Sequence, residues 1–293
     1  MTDGPMPRIH TSDEVRDALS TCPLPDIAKL VTESQQALAL QQLNDEVDGL
    51  SELLEKARDV ADVHGGVVIE NCAVARDSVV ALLSAAFGSV DHLGNGIPSR
   101  LVFDVTPRRD GKGYSSVGSS RGTGEFSLHS DSANFPVPHA FVTLACVTFE
   151  AGHGGESLLI SADSIARDLV ESGRQESVRL LGDPIFPFMS GYRSEDEVVR
   201  GQVLYRENDR WCVRYRHQLL VEGGQRLGLD EEHVQALADF EATIAKQELL
   251  TEFTLLPGDV WVLDNRRWLH GRRAFDTKAN RLLKRCKVYG PGQ

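Results

Sequence analysis

Two periods of apolar and polar residues divide the chain. Between residues 25 and 62 apolar side chains recur at helical spacing, as at Leu50, Leu53, Leu54 and Ala57, with Glu, Gln and Lys between them. That spacing predicts one or two amphipathic helices. HGGVVIENC (64–72) then packs β-branched residues between glycines and Asn71, the pattern of a short strand. Helical spacing returns from Asp77 to Phe87, where Gly88 closes it. Residues 89–125 are rich in Gly, Ser, Arg and Pro, and GKGYSSVGSSRGTG has too few apolar side chains to enter a core, so a loop is predicted there.

From Glu125 onward short strand-like runs dominate: FSLHSD, AFVTLACVTF, ESLLIS, QVLYREN, WCVRYRHQLL, FTLLPGDVWVLDN and RLLKRCKVYG. One helix interrupts them, from about Asp230 to Leu250, with Val234, Leu237, Ala238 and Ile244 on one face. Short strands separated by turns predict a sandwich or barrel with helices packed outside it. No internal repeat, low-complexity tract or linker divides the chain, so a single domain over 1–293 is predicted, with a helical region at 1–62 ahead of a mainly β core.

Composition narrows the function classes. With 41% hydrophobic and 25% charged residues the chain has the make-up of a globular protein, which excludes disordered and coiled-coil readings. Its 31 Lys+Arg stand against 43 Asp+Glu, a formal charge of -12, so a nucleic-acid partner held by phosphate neutralisation is not expected. No apolar window reaches membrane-spanning length, and the first residues lack the basic start and apolar stretch of a secretion signal; the expectation is a cytoplasmic protein with no membrane partner. The five cysteines are scattered without a C-x-x-C pair, which argues against a disulfide framework or cysteine zinc site, and Cys146 reads as a small buried apolar residue.

Candidate chemistry begins at His129-Ser130-Asp131. Residues i and i+2 of an extended segment point to the same side, so an imidazole and a carboxylate face one point. Composition alone yields roughly 1.3 such pairs by chance in a chain of this make-up, so the motif carries nothing by itself. Downstream, LLPGDVWVLDNRRWLHGRRAF places a turn, an apolar strand and then His270. Two histidines and one carboxylate on one face of a metal leave three positions open, the arrangement of mononuclear non-haem Fe(II) oxygenases. Taken alone, His270 reads equally well as a surface histidine in a turn.

Arg281 and Arg285 share a strand face with Leu283 between them. Guanidiniums directed inward need carboxylates, and a small dicarboxylate chelating the metal at one end would meet Arg281 at the other. The plainer alternative is two surface arginines on an edge strand. His139, His153 and His217 read as structural. The serines of SSVGSSRG lack a base at a recognised spacing, and the glycine-rich run lacks the Lys of a phosphate loop, so neither a hydrolase nor an NTPase is indicated.

Four segments together resemble the Fe(II)- and 2-oxoglutarate-dependent dioxygenases of the taurine dioxygenase and clavaminate synthase-like superfamily. They are FSLHSDSANFPVPHAFVTLACV, GHGGESLLISADSI, PGDVWVLDNRRWLHGRRAF and NRLLKRC, covering residues 125–287, with a weaker match at 65–90. The resemblance implies a double-stranded β-helix core of the jelly-roll type. It implies His129, Asp131 and His270 as the iron ligands, Arg281 as the partner of the 2-oxoglutarate distal carboxylate, and Ser157 as a hydroxyl donor to that cosubstrate. Arg285 matches a position that meets an acidic group of the substrate. Glu125 and Asn134 flank the proximal motif as candidates to bind an ammonium or amide, though Glu125 reads equally well as an exposed strand-entry residue. Loop 110–124 and the insertion 186–218 fall where the family places lids. Arg193, Arg214 and Arg216 are candidates there to meet an anion, against the commoner role of solvated surface arginines.

The implied activity couples O2 and 2-oxoglutarate, which becomes succinate and CO2, to hydroxylation of an unactivated C–H bond. HGRRAF is closest to amino-acid oxygenases related to clavaminate synthase, which points to a free amino acid or a derivative as substrate. Halogenases of this kind lack the carboxylate, so Asp131 favours hydroxylation, with desaturation or ring closure as the other outcomes. Two alternatives remain: a sulfonate- or xenobiotic-scavenging dioxygenase, or a non-catalytic cupin-like metal- or ligand-binding module.

Overall fold

A computed structural model describes residues 6–92, 100–106, 122–189, 198–276 and 278–291. Strand β1 (Arg8–His10) is followed by helices α1 (Asp13–Thr21), α2 (Glu33–Glu46) and α3 (Leu50–His64), then β2 (Gly66–Glu70), α4 (Asp77–Ala85), β3 (Ser89–Val90) and β4 (Phe103–Val105). The middle holds β5 (Phe126–His129), β6 (Phe141–Thr148), β7 (Ser157–Ser161), α5 (Ala162–Glu171), α6 (Gln175–Leu181), β8 (Phe186–Phe188), β9 (Val199–Gly201), β10 (Leu204–Glu207) and β11 (Arg210–Val213). The chain ends with α7 (His217–Leu227), α8 (Glu231–Ile244), β12 (Thr251–Phe253), β13 (Val260–Asp264), β14 (Trp268–Arg272) and β15 (Leu282–Tyr289).

Two sheets carry the architecture. The larger runs β1-β2-β13-β6-β15-β3, with β4 beside β15, and the smaller runs β12-β7-β14-β5. Val68, Cys146, Trp261, Leu263 and Leu283 of the first pack with Leu159 and Trp268 of the second in one buried cluster, so the sheets share an apolar layer. The N-terminal helices bury Leu19, Leu43, Leu50 and Leu54 with Val67, Ile69 and Val262 of the larger sheet. Helices α5 to α8 form a second core with Ile160 and Leu269 of the smaller sheet. Among the described residues no helix is long and apolar enough to cross a membrane.

Local chemistry sets the element ends. Ser12 caps α1 by accepting from the Val15 N–H, and Thr32 with Gln35 forms a capping box on α2. Helix α3 stops at Gly65, whose φ is +77° and where a Cβ would lie 2.4 Å from Trp268 Nε1, so no other residue fits between helix and sheet. Asn208 and Asp209, both at positive φ, turn β10 into β11.

The mainly β architecture with flanking helices agrees with the sequence reading, and the structure corrects its detail. The late helix at α8 is joined by α5, α6 and α7. WCVRYRHQLL, read as one strand, ends its strand at Val213 and begins α7 at His217. Within 186–218, Phe186, Phe188, Val203, Leu204 and Val213 are buried in the second core, while residues 190–197 lie outside the described residues. Cys146 is fully buried, as its setting predicted, and burial pushes its thiol up to about 12.

Candidate metal centre and its cleft

Strands β5 and β14 pair antiparallel at the edge of the smaller sheet with His270 opposite His129, which brings the imidazole centroids to 4.4 Å. The close approach depends on Gly271, where a Cβ would lie 2.6 Å from the Phe126 carbonyl oxygen. Past the end of β5 the chain turns and delivers Asp131. Atoms of His129, Asp131 and His270 able to ligate a metal lie within 4.8 Å of one another, and all three residues are buried. Among the described residues this is the one such group of three or more.

The orientation of the three is built in. The Ser127 carbonyl accepts from His129 Nδ1 at 2.9 Å, which leaves the Nε2 lone pair free. Asn265, at the turn after β13, accepts from the Asp131 N–H at 2.7 Å and donates from Nδ2 to the carbonyls of Asp131 and His139, both at 2.9 Å. His129 Nε2, Asp131 Oδ2 and His270 Nδ1 are buried without a hydrogen-bond partner. Such orphaned atoms are rare in folded proteins, and one on each residue of a group whose ligating atoms cluster this closely fits a cation. Burial lowers the His270 imidazole to about 4 and His129 well below its ordinary range, so both rings are neutral and able to ligate near neutral pH. Burial alone would raise the Asp131 carboxyl, but Lys287 and Arg285 outweigh it and hold the group ionised.

A cleft opens between the sheets beside this centre, lined by His129, His270, Ser157, Arg281 and Arg285 and by apolar side chains that include Val142, Leu144 and Trp261. Arg281 is 8% exposed and its Nε has no partner; burial lowers its pKa to about 10, which still leaves it charged near neutral pH. Phe275 lies under both Arg281 and Arg272, at 5.4 and 4.3 Å from their guanidinium carbons. Ser157 stands opposite Arg272 in the register of β7 with β14.

The remaining sequence candidates are more dispersed. Arg285 reaches the centre, with its Nη1 3.7 Å from Asp131 Oδ2. Glu125 does not line the cleft; its side chain is 58% exposed and lies 3.9 Å from Arg273. Asn134 is half-buried in the turn after Asp131. Arg214 ties down that turn by donating to the carbonyls of Ala133 and Phe135. Arg216 is half-buried, with its guanidinium carbon 5.8 Å from the Phe126 ring. Arg193 and most of loop 110–124 lie outside the described residues.

Sequence reasoning missed Asn265 and Lys287. Lys287 Nζ lies 3.8 Å from Asp131 Oδ1, so the carboxylate sits between two cations, one facing each oxygen. Lys287 continues the alternation of Arg281, Leu283 and Arg285 by one more pleat, and that was the signal available.

FR-33289 synthase of Streptomyces rubellomurinus (strain ATCC 31215) is 29% identical over 255 residues, 82% of this chain and 70% of that protein. An asparagine oxygenase solved with Fe(II), 2S,3S-3-hydroxyasparagine and succinate superposes with a TM-score of 0.73 at 18% identity, over 96% of this chain and 93% of that one. The non-haem iron oxygenase OrfP, solved with Fe and alpha-ketoglutaric acid, gives a TM-score of 0.71 at 18% identity over 97% and 94%. The family model of the taurine catabolism dioxygenase TauD, TfdA family, matches residues 30–287, and the chain belongs to that family.

Proposed function

We propose that this chain is a non-haem Fe(II)- and 2-oxoglutarate-dependent oxygenase that hydroxylates an unactivated C–H bond of a small, amino-acid-like metabolite and releases succinate and CO2. The observation that carries the reading is the buried cluster of ligating atoms of His129, Asp131 and His270, each residue with an unpartnered polar atom, beside a cleft lined by Arg281, whose Nε is also unpartnered. Two neutral imidazoles and one carboxylate with the rest of the coordination sphere open are the donor set of this iron chemistry. The two facing sheets are read as a double-stranded β-helix of the jelly-roll type, and the whole chain as one oxygenase domain.

Bound Fe(II), with 2-oxoglutarate and O2, supplies the oxidising power. The side chains bind and orient. His129, Asp131 and His270 hold the metal, and the hydrogen bond from His129 Nδ1 to Ser127 fixes which nitrogen faces it. Arg281 takes the distal carboxylate of 2-oxoglutarate, whose arrival supplies the counter-charge the cleft lacks, and Ser157 offers that cosubstrate a hydroxyl. Val142, Leu144 and Trp261 keep water from its chain.

Support for an amino-acid-like substrate comes from the asparagine oxygenase and from OrfP, solved with hydroxyasparagine and with hydroxy-Arg respectively. A second reading, an acid such as a sulfonate that needs no ammonium contact, is favoured by the cations Arg285 and Lys287 beside the metal centre and by Glu125 facing Arg273. Anaerobic Fe(II) and 2-oxoglutarate should together give a weak visible charge-transfer band. Oxygen and a metabolite pool should then release succinate and yield a product heavier by one oxygen atom. A band without succinate under any pool would instead indicate a ligand-binding module.

A further inference from the structure

Behind Asp131 lies a buried chain of polar groups that the proposed chemistry does not use. Lys287 Nζ is 3.2 Å from Ser132 Oγ, which is 2.7 Å from His139 Nδ1, and His139 Nε2 is 2.8 Å from Asp91 Oδ2. An ammonium only donates, so one direction satisfies every link: Lys287 donates to Ser132, Ser132 to His139, and His139 to Asp91. His139 is fully buried, stacks on Tyr289 at 4.3 Å, and its carbonyl accepts from Asn265. The chain is therefore anchored at its far end. Ser132 adopts φ +60°, a left-handed conformation that costs a non-glycine residue energy. A serine at a position that favours glycine points to a use for its hydroxyl.

The use follows from where Lys287 stops. Its Nζ is 3.8 Å from Asp131 Oδ1, close enough to stabilise the ionised carboxylate but too far to donate a hydrogen bond to it. Resting on the proposed metal centre, we infer that Asp91, His139 and Ser132 form a leash that holds Lys287 back from Asp131 and so leaves the carboxylate oxygens open to the metal. Ser132 and His139 are positioning residues acting through Lys287. Without the leash the ammonium closes the gap to Asp131 and competes with the cation for the same lone pairs.

Mn(II) binding to the metal-free full chain tests this without turnover, alongside thermal melting. Ser132→Gly removes the hydroxyl and relieves the backbone, so its melting temperature should not fall, while Mn(II) affinity should weaken about 10- to 100-fold. His139→Phe, which keeps a ring against Tyr289, should weaken it in the same direction. Lys287→Met should bind Mn(II) at least as tightly as wild type, and adding Ser132→Gly to it should change affinity by no more than about twofold. Unchanged affinity in Ser132→Gly overturns the leash. So does a loss that persists in the Lys287→Met background, or a weaker site in Lys287→Met alone. A wild-type chain that binds no Mn(II) removes the metal centre itself, a different failure from that of the leash.

Discussion

Two neighbouring stretches, RRWLHGRR (266–273) and RLLKRCK (281–287), are both dense in cations and handle that charge in opposite ways. In the first, each guanidinium meets groups the fold supplies. Arg266 faces Asp264, Arg267 donates to the carbonyls of Asp62 and Val63, Arg272 to those of Gly122 and Gly124, and Arg273 to Glu252 and Gln247. In the second, Lys284 turns to the opposite face and finds Asp77 and the Ala75 carbonyl. Those facing the cleft are left wanting: Arg267 also has an open Nε but bonds through both terminal nitrogens, whereas Arg281 has no hydrogen bond or ion pair among the described residues and Arg285 has only Asp131, which it shares with Lys287. A buried cation completed by the chain holds the fold together, and one left incomplete is aimed at something that arrives later.

The largest effect should come from removing the carboxylate on which the second stretch depends. Asp131→Ala takes away a ligand and strands Arg285 and Lys287, and breaking a buried pair costs about 3 to 5 kcal/mol. Succinate release should fall to background, Mn(II) should no longer bind, and the melting temperature should drop. Succinate formed at the wild-type rate would overturn the assignment.

Arg281→Ala should spare the metal while weakening 2-oxoglutarate binding roughly 30- to several-thousand-fold, the expected loss when a charged pair forfeits one partner (about 2 to 5 kcal/mol). The contrast sharpens in the cofactor-free chain. There Arg281→Ala deletes a buried charge without a counter-ion and should not lower the melting temperature, whereas Arg267→Met breaks two hydrogen bonds to backbone carbonyls and should cost about 1 to 3 kcal/mol. Equal stability losses in the two variants would erase the distinction between the stretches.

Asn265→Ala falls between these cases, because Asn265 is part of the fold and also orients a proposed ligand. It should weaken Mn(II) binding about 10- to 100-fold, with Arg267→Met as the control that loses stability but keeps its metal. An Asn265→Ala chain that melts early yet binds Mn(II) normally would make the residue purely structural.

What the sequence made legible follows from how far each signal reaches. His129 ends β5 and Asp131 follows two residues on, where a two-residue period constrains direction; His270 sits in the middle of β14 rather than where the strand gives way, and Arg281 and Arg285 follow from the pleat of the next strand. Lys287 obeys that pleat too, but only the Asp131 carboxylate, brought from 156 positions away, gives it a meaning. Asn265 stands next to a recognised motif, yet its hydrogen bonds close across 134 residues. Glu125 illustrates the converse case: its place in sequence allowed a substrate contact or an exposed strand entry, and its side chain lies exposed beside Arg273. HQLL was misread because a short apolar run suits either period, and only packing of Leu220 into the second core makes it the start of α7.

His233 carries the comparison to its smallest expected effect, since it is a cation completed by the fold that can also lose its charge. It sits in the first turn of α8, with Nδ1 2.7 Å from Asp230 and Nε2 3.0 Å from Asp183. Burial lowers its pKa, but the hydrogen bonds to Asp230 and Asp183 outweigh burial and raise it above the ordinary histidine value. A raised folded-state pKa means the unfolded chain binds the proton less well, so the added stability is fully present below about pH 6.5 and is lost as pH climbs through the folded value. The melting-temperature gap between wild type and His233→Gln should therefore be wider near about pH 6 than near about pH 8.5, with the KM for 2-oxoglutarate the same in both. A gap that does not change with pH would mean that the ring contributes no charge. It would also place His233 with the neutral packing of the second core rather than with the guanidiniums of 266–273, whose charge is present at both ends of that range.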